Sequence, residues 1–140
     1  MKKRIRVAKA ILLDREGKIL IYRRDDKPTI PYPNHWDLIG GTLEEGETAL
    51  EGLLRETIEE IDVQLGQVNT FVDYYTDEHE HFTIFWAQID AVPHELQLTE
   101  GQCLTSIELT QRGTYCFAGR LGAVLDEFAA LKLISHENSG

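Results

Sequence analysis

The stretch from Gly40 to Val63, GGTLEEGETALEGLLRETIEEIDV, restricts the fold more than any other part of the chain. Two glycines make a turn, Glu44, Glu45 and Glu47 form an acidic loop around Gly46, and a segment of helical periodicity follows. At about 100° per residue, Glu56, Glu59 and Glu60 fall within one narrow arc, with Leu50, Leu53, Leu54, Thr57, Ile58 and Ile61 on the opposite side. One face is therefore expected to pack into a core while the other presents three carboxylates at a single point. Carboxylates so close repel one another unless a cation neutralises them. An all-oxygen set suits hard divalent ions, Mg²⁺ or Mn²⁺, so the segment reads as a metal site carried on a helix. A solvated acidic helix would space Lys or Arg four residues from its glutamates. Here Arg55 reaches only Glu59, and no lysine lies between Lys27 and Lys132. Gly52, inside the same helix, costs about 1 kcal/mol relative to Ala and marks close packing.

The rest of the chain supplies strands and one more helix. Arg4 to Leu13 and Lys18 to Arg23 are rich in Ile, Val and Leu and flank the turn Asp14-Arg15-Glu16-Gly17, which predicts a hairpin. Pro28, Pro31 and Pro33 make the next segment an ordered loop. The helix is expected to start near Thr48 or Glu47. Gln67 to Tyr75 and His81 to Ile89 form a second strand pair around the acidic loop Thr76 to Glu80, and Cys103 to Leu109 is a short strand. Leu121, Val124, Leu125, Phe128 and Leu131 recur at helical spacing within Gly119 to Leu133, followed by a polar tail from Glu137. Strands interleaved with two helices, without repeats or linkers, predict one α/β domain over residues 1–140, with a mixed sheet between helices.

Charge excludes some partners. A net charge of −10 argues against a long nucleic acid, whose phosphates call for clustered Lys and Arg. The basic run Lys2, Lys3, Arg4 and Arg6 precedes an apolar segment broken by Lys9 and ended by Asp14, too short for a secretion signal. No segment approaches a membrane span. Cys103 and Cys116 lack metal-like spacing, and free thiols in a reducing cytoplasm are expected.

Gly41, Glu47, Arg55, Glu56, Glu59, Glu60 and Val63 stand at the spacing of the signature of the Nudix hydrolases, and the approach Arg24 to Gly41 is similar to one bacterial branch of that family. The chain departs from the pattern at Ile39, where a proline is usual, at Thr57, usually larger and apolar, and at Asp62, usually glycine. The resemblance implies the Nudix-type α/β/α sandwich and Mg²⁺-dependent hydrolysis of a nucleoside diphosphate linked to another group. It implies that Glu56 and Glu60 are the principal metal ligands, with Glu59 completing the cluster and the Gly40 carbonyl joining it. It also implies that Arg55 orients the carboxylates. The base is Glu56 or a later acid, for which Glu100 is the candidate, with Glu78 and Glu80 behind it.

Arg23 and Arg24, at a strand end beside the cleft loop, are candidates to hold phosphate. Trp36, Tyr74, Tyr75 and Phe117 are candidates to stack on a base. Family members that read oxidised guanine use an asparagine near the last helix, and Phe117-Ala-Gly-Arg-Leu-Gly has none. A nucleoside triphosphate or nucleotide sugar is therefore the favoured substrate, as a small nucleotide. Monomer and homodimer both stay open. A non-catalytic nucleotide-binding module on the same fold is the alternative, although the intact acid positions favour an enzyme.

Overall fold

The computed structural model describes residues 4–139, with side chains as far as residue 131. Among the described residues, seven strands, β1 (Ile5–Leu13), β2 (Ile19–Arg23), β3 (Trp36–Asp37), β4 (Ile39–Thr42), β5 (Val68–Tyr75), β6 (Glu80–Gln88) and β7 (Cys103–Ile107), form one sheet, and there are two α-helices, α1 (Ala49–Ile61) and α2 (Leu121–Ser139). Short 3-10 turns occupy Pro93–Glu95 and Leu109–Thr114.

β1 is the organising strand because its side chains alternate between two cores. Ala8, Ala10 and Leu12 pack with Leu53 and Ile61 of α1, whereas Ile11 and Leu13 pack with Leu121, Val124, Leu125 and Phe128 of α2. This period of two places a helix on each face of the sheet, the α/β/α arrangement expected. Full burial of a side chain such as Leu53 or Leu125 contributes about 1.5–3 kcal/mol.

One edge of β1 runs parallel with β6 from Ile5↔Glu80 to Leu13↔Gln88. Its other edge is shared, with β4 antiparallel along Val7–Ala10 and β2 only at Leu13↔Ile19. The expected hairpin is therefore confined to its turn, where Asp14 Oδ1 accepts from the Glu16 and Lys18 amides. The remaining edges of β2 pair with β7 and β3. Trp36–Thr42, expected to end a loop, instead crosses from β2 to β1 as two short strands. That crossing carries the glycine pair into the sheet.

α1 begins at Thr48, whose hydroxyl accepts from the Glu51 amide while Glu51 returns a bond to the Thr48 amide, a capping box. It ends at Asp62 in left-handed geometry, φ 56°, with its amide donating to the Ile58 carbonyl. A Cβ on Gly52 would overlap Leu43 and press on Glu47, so its helix cost is offset by close loop packing. Buried Thr57 donates its hydroxyl to the Leu53 carbonyl, which explains how a polar residue fits an apolar position. The helix faces differ from the periodicity reading: Leu50 and Ile58 are exposed and Glu60 is buried. Leu131 is likewise exposed rather than part of the α2 stripe. Lys2, Lys3 and Gly140 lie outside the described residues, and the polar tail from Glu137 lies beyond the described side chains.

Candidate active site

The site opens where β3 passes into β4. Asp37, Gly40 and Gly41 from this crossing line a cleft of about 680 Å³, with Val7 and Lys9 of β1, Tyr22 and Arg24, and Glu56 and Glu60 of α1. The same lining includes Tyr32, Tyr74, Phe82 and Arg120, and the acids Glu78, Glu80 and Glu100.

The glycine pair is required by close approach. A Cβ on Gly40, at φ 138°, would overlap the Ala8 carbonyl of β1. A Cβ on Gly41 would stand 2.7 Å from Glu56 Cδ. Glu56 can therefore lie flat against the β4 backbone, four residues and one helical turn before Glu60.

Glu60 is 4% exposed, and its Oε2 has no hydrogen-bond partner. Burial pushes the Glu60 carboxyl up to about 9, opposed by the nearby Lys9 ammonium and reinforced by Glu56 and Glu100. A buried carboxyl oxygen without a partner, beside a second carboxylate in an open cleft, fits a divalent cation. Glu56 and Glu60 could hold one.

Glu56 and Glu59 both accept from Arg55 Nη1, at 3.0 and 3.1 Å, and Glu56 neighbours Glu60. Among the described residues no group of three or more His, Cys, Asp or Glu side chains stands ready to hold a metal. The Glu59 side chain is 57% exposed, and Arg55 holds it at 3.1 Å, away from the cleft lining. Arg55 is the hub of the outer carboxylates. Its Nε and Nη2 donate to Glu47 at 2.8 and 2.9 Å, Nη1 to Glu56 at 3.0 Å, and Nη2 to the Thr42 carbonyl at 3.2 Å. These bonds raise the Arg55 pKa, led by Glu47, and hold the Glu47 carboxyl down to about 2, led by Arg55.

Glu100 is brought to the same place by its neighbour. Thr99 donates its hydroxyl to the Glu59 carbonyl at 2.9 Å and its amide to the Glu60 carbonyl at 3.0 Å, tying the loop to the last turn of α1. Arg24 lines the cleft, its Nη1 on Asp37 Oδ2 at 2.8 Å and its Nε on the Pro31 carbonyl at 3.0 Å. Arg23 is turned to the Asn34 carbonyl and lies outside the lining. Trp36 lies outside it too, edge-on to Tyr115 at 5.2 Å in the α2-side core. Tyr74, stacked on Phe82 at 5.1 Å and carrying the Arg120 guanidinium 4.6 Å from its ring, is an aromatic surface that does line the cleft.

Sequence reasoning missed Lys9 and Asp37. Both are buried, and each interrupts an apolar run, which was the available signal. Asp37 accepts from Lys9, Arg24 and Tyr22 through Oδ2 and from the Leu38 amide through Oδ1.

A strand–glycine pair–helix unit thus places two carboxylates in one cleft. The NUDIX domain family model matches residues 3–111, and the chain belongs to the Nudix family as a pyrophosphohydrolase. It is 28% identical over 109 residues to an 8-oxo-dGTP diphosphatase of Proteus vulgaris, covering 73% of this chain and 90% of that protein. It is also 28% identical over 117 residues to a Nudix hydrolase of Deinococcus radiodurans, covering 78% and 68%. A MutT structure, from the Aliivibrio salmonicida and Vibrio cholerae pair of these proteins, matches with TM-score 0.78 at 23% identity, covering 92% of this chain and 99% of that one. An Ap4A hydrolase of C. elegans in a binary complex matches with TM-score 0.72 at 20% identity, covering 91% and 98%. These structural likenesses carry the fold. No helix among the described residues is long and apolar enough to cross a membrane.

Proposed function

We propose that this single Nudix domain hydrolyses a small nucleoside diphosphate-X compound, a nucleoside triphosphate or nucleotide sugar, with Mg²⁺ as the divalent ion. The observation that carries the reading is the unpartnered, buried Glu60 Oε2 beside Glu56 in the cleft. A divalent ion held there would neutralise phosphate oxygens and polarise phosphorus toward attack by water. Glu56 and Glu60 would hold the cation, Arg55 fixes the direction of Glu56, and Glu100 would accept the proton of the attacking water. Arg24 receives a phosphate oxygen, and the Tyr74–Phe82 surface receives a flat group.

Charge supports the substrate size. With −10 on the chain, polyphosphate binds together with or after the cation, and a long RNA adds repulsion along its length. The test is a panel of (d)NTPs, nucleotide sugars, dinucleoside polyphosphates and ADP-ribose with Mg²⁺, Mn²⁺ or chelator. A nucleoside monophosphate released only with metal is expected. Preference for capped or triphosphorylated RNA over every small nucleotide would overturn the reading.

A further inference from the structure

Lys9 is a buried cation that the proposed chemistry has not used. It sits in β1 with its side chain 8% exposed, and its ammonium reaches Asp37 Oδ1 at 3.2 Å, Asp37 Oδ2 at 3.3 Å, the Leu38 carbonyl at 3.3 Å and the Gly40 carbonyl at 3.3 Å. Burying an ammonium is costly unless it is paired and hydrogen-bonded. Neutralising Asp37 does not account for it, because Arg24 already binds Asp37 at 2.8 Å. Two cations against one carboxylate leave a positive charge, and it faces the cleft beside Glu60.

The acceptors around Nζ, a carboxylate and two backbone carbonyls, are the hard oxygen set that a metal ion takes. One of them, the Gly40 carbonyl, is the oxygen expected to join the metal shell. Glu60 Oε2, buried and unpartnered, is not among the atoms that bind Lys9.

We propose that the Lys9 ammonium is a built-in cation of the site, occupying the oxygen cage of Asp37, Leu38 and Gly40. The exchangeable metal is held by the Glu56 and Glu60 side chains beside this cage. The inference rests on the metal reading above. Lys9 acts as a positioning residue: it fixes the β4 backbone against which Glu56 lies, and it lends the carboxylate pair a charge that does not dissociate in chelator.

The test counts bound ions rather than turnover. Mn²⁺ binding is measured by calorimetry and by electron paramagnetic resonance on the wild-type chain and on Lys9→Ala. Removing the ammonium opens the cage, so Lys9→Ala should bind one more Mn²⁺ than the wild type. An unchanged count in folded Lys9→Ala overturns the inference and leaves the metal reading standing, whereas no Mn²⁺ on the wild type sinks both. Nitrogen-15 spectra of the wild-type lysine ammonium groups cover the case in which the variant does not fold. The protected Lys9 signal should persist through saturating Mg²⁺, and its replacement by a solvent-exchanging one would overturn the inference.

Discussion

The carboxylate of Glu56 lies in the space that a Cβ on Gly41 would claim, 2.8 Å from Oε1 and 2.9 Å from Oε2. The atoms that must give way are the end of a flexible side chain. Gly41→Ala should therefore fold and melt near the wild type while displacing Glu56 from its place. A misplacement of about 1 Å in such a group costs roughly 10²-fold in rate. A normal melting temperature with a large fall in kcat is the expected pair of results. Wild-type activity would mean that the position of Glu56 is unimportant.

The metal-free protein should carry the cost of Glu60 in its pH profile. The ordinary value is 4.5 and the folded one about 9, so the native state holds a proton that the unfolded chain releases. This contribution is fully present below about 4.5 and is lost as pH rises through about 9. In chelator, Glu60→Gln should show a flatter decline in melting temperature between pH 5 and pH 9 than the wild type. Parallel profiles would contradict the burial of this carboxyl.

The Glu47–Arg55 pair acts at the other end of the scale. Arg55 holds the Glu47 carboxyl down to about 2 from 4.5, so its contribution is present above 4.5 and lost as pH falls through about 2. Acid unfolding of Glu47→Gln should lose part of this dependence. Arg55→Lys cannot reproduce the two bonds to Glu47 together with those to Glu56 and Glu59. It should lower metal affinity or rate by about 10–100-fold. Chemical denaturation across pH and a Mn²⁺ titration read the two effects separately.

Much of this arrangement was legible in the chain because it is local. Thr48, Arg55 and the carboxylate spacing lie within one helix, whose geometry periodicity gives directly. The different burial of the three glutamates is not legible for a physical reason: a helical wheel does not say which edge of a polar arc meets the sheet. Glu60 falls on the buried edge while Arg55 draws Glu59 outward. The parallel pairing of β1 with β6 and the pairing of β4 with β1 are long-range, and no turn signal encodes them. Lys9 and Asp37, twenty-eight residues apart, form their ion pair only after that second pairing is made.

The tether of Thr99 to α1 gives Glu100 a separable test. Glu100→Gln should lower kcat by about 10²–10⁴-fold with metal affinity nearly unchanged if Glu100 is the base. Partial rescue by excess Mg²⁺ or Mn²⁺ would make it a ligand instead. An unaffected rate would return the base to Glu56 or to the loop carrying Glu78 and Glu80.

On the proposed reading, Glu56 and Glu60 together hold the cation that drives cleavage between phosphates. The most direct test of this reading is the turnover of the best nucleotide substrate by Glu56→Gln and Glu60→Gln, each verified as folded, across a Mg²⁺ titration with a chelator control. Each substitution should lower kcat/KM by roughly 10²-fold or more, because charge aimed at the transition state is removed. Wild-type turnover should vanish in chelator. Full activity in either variant, or measurable turnover without metal, would contradict the account.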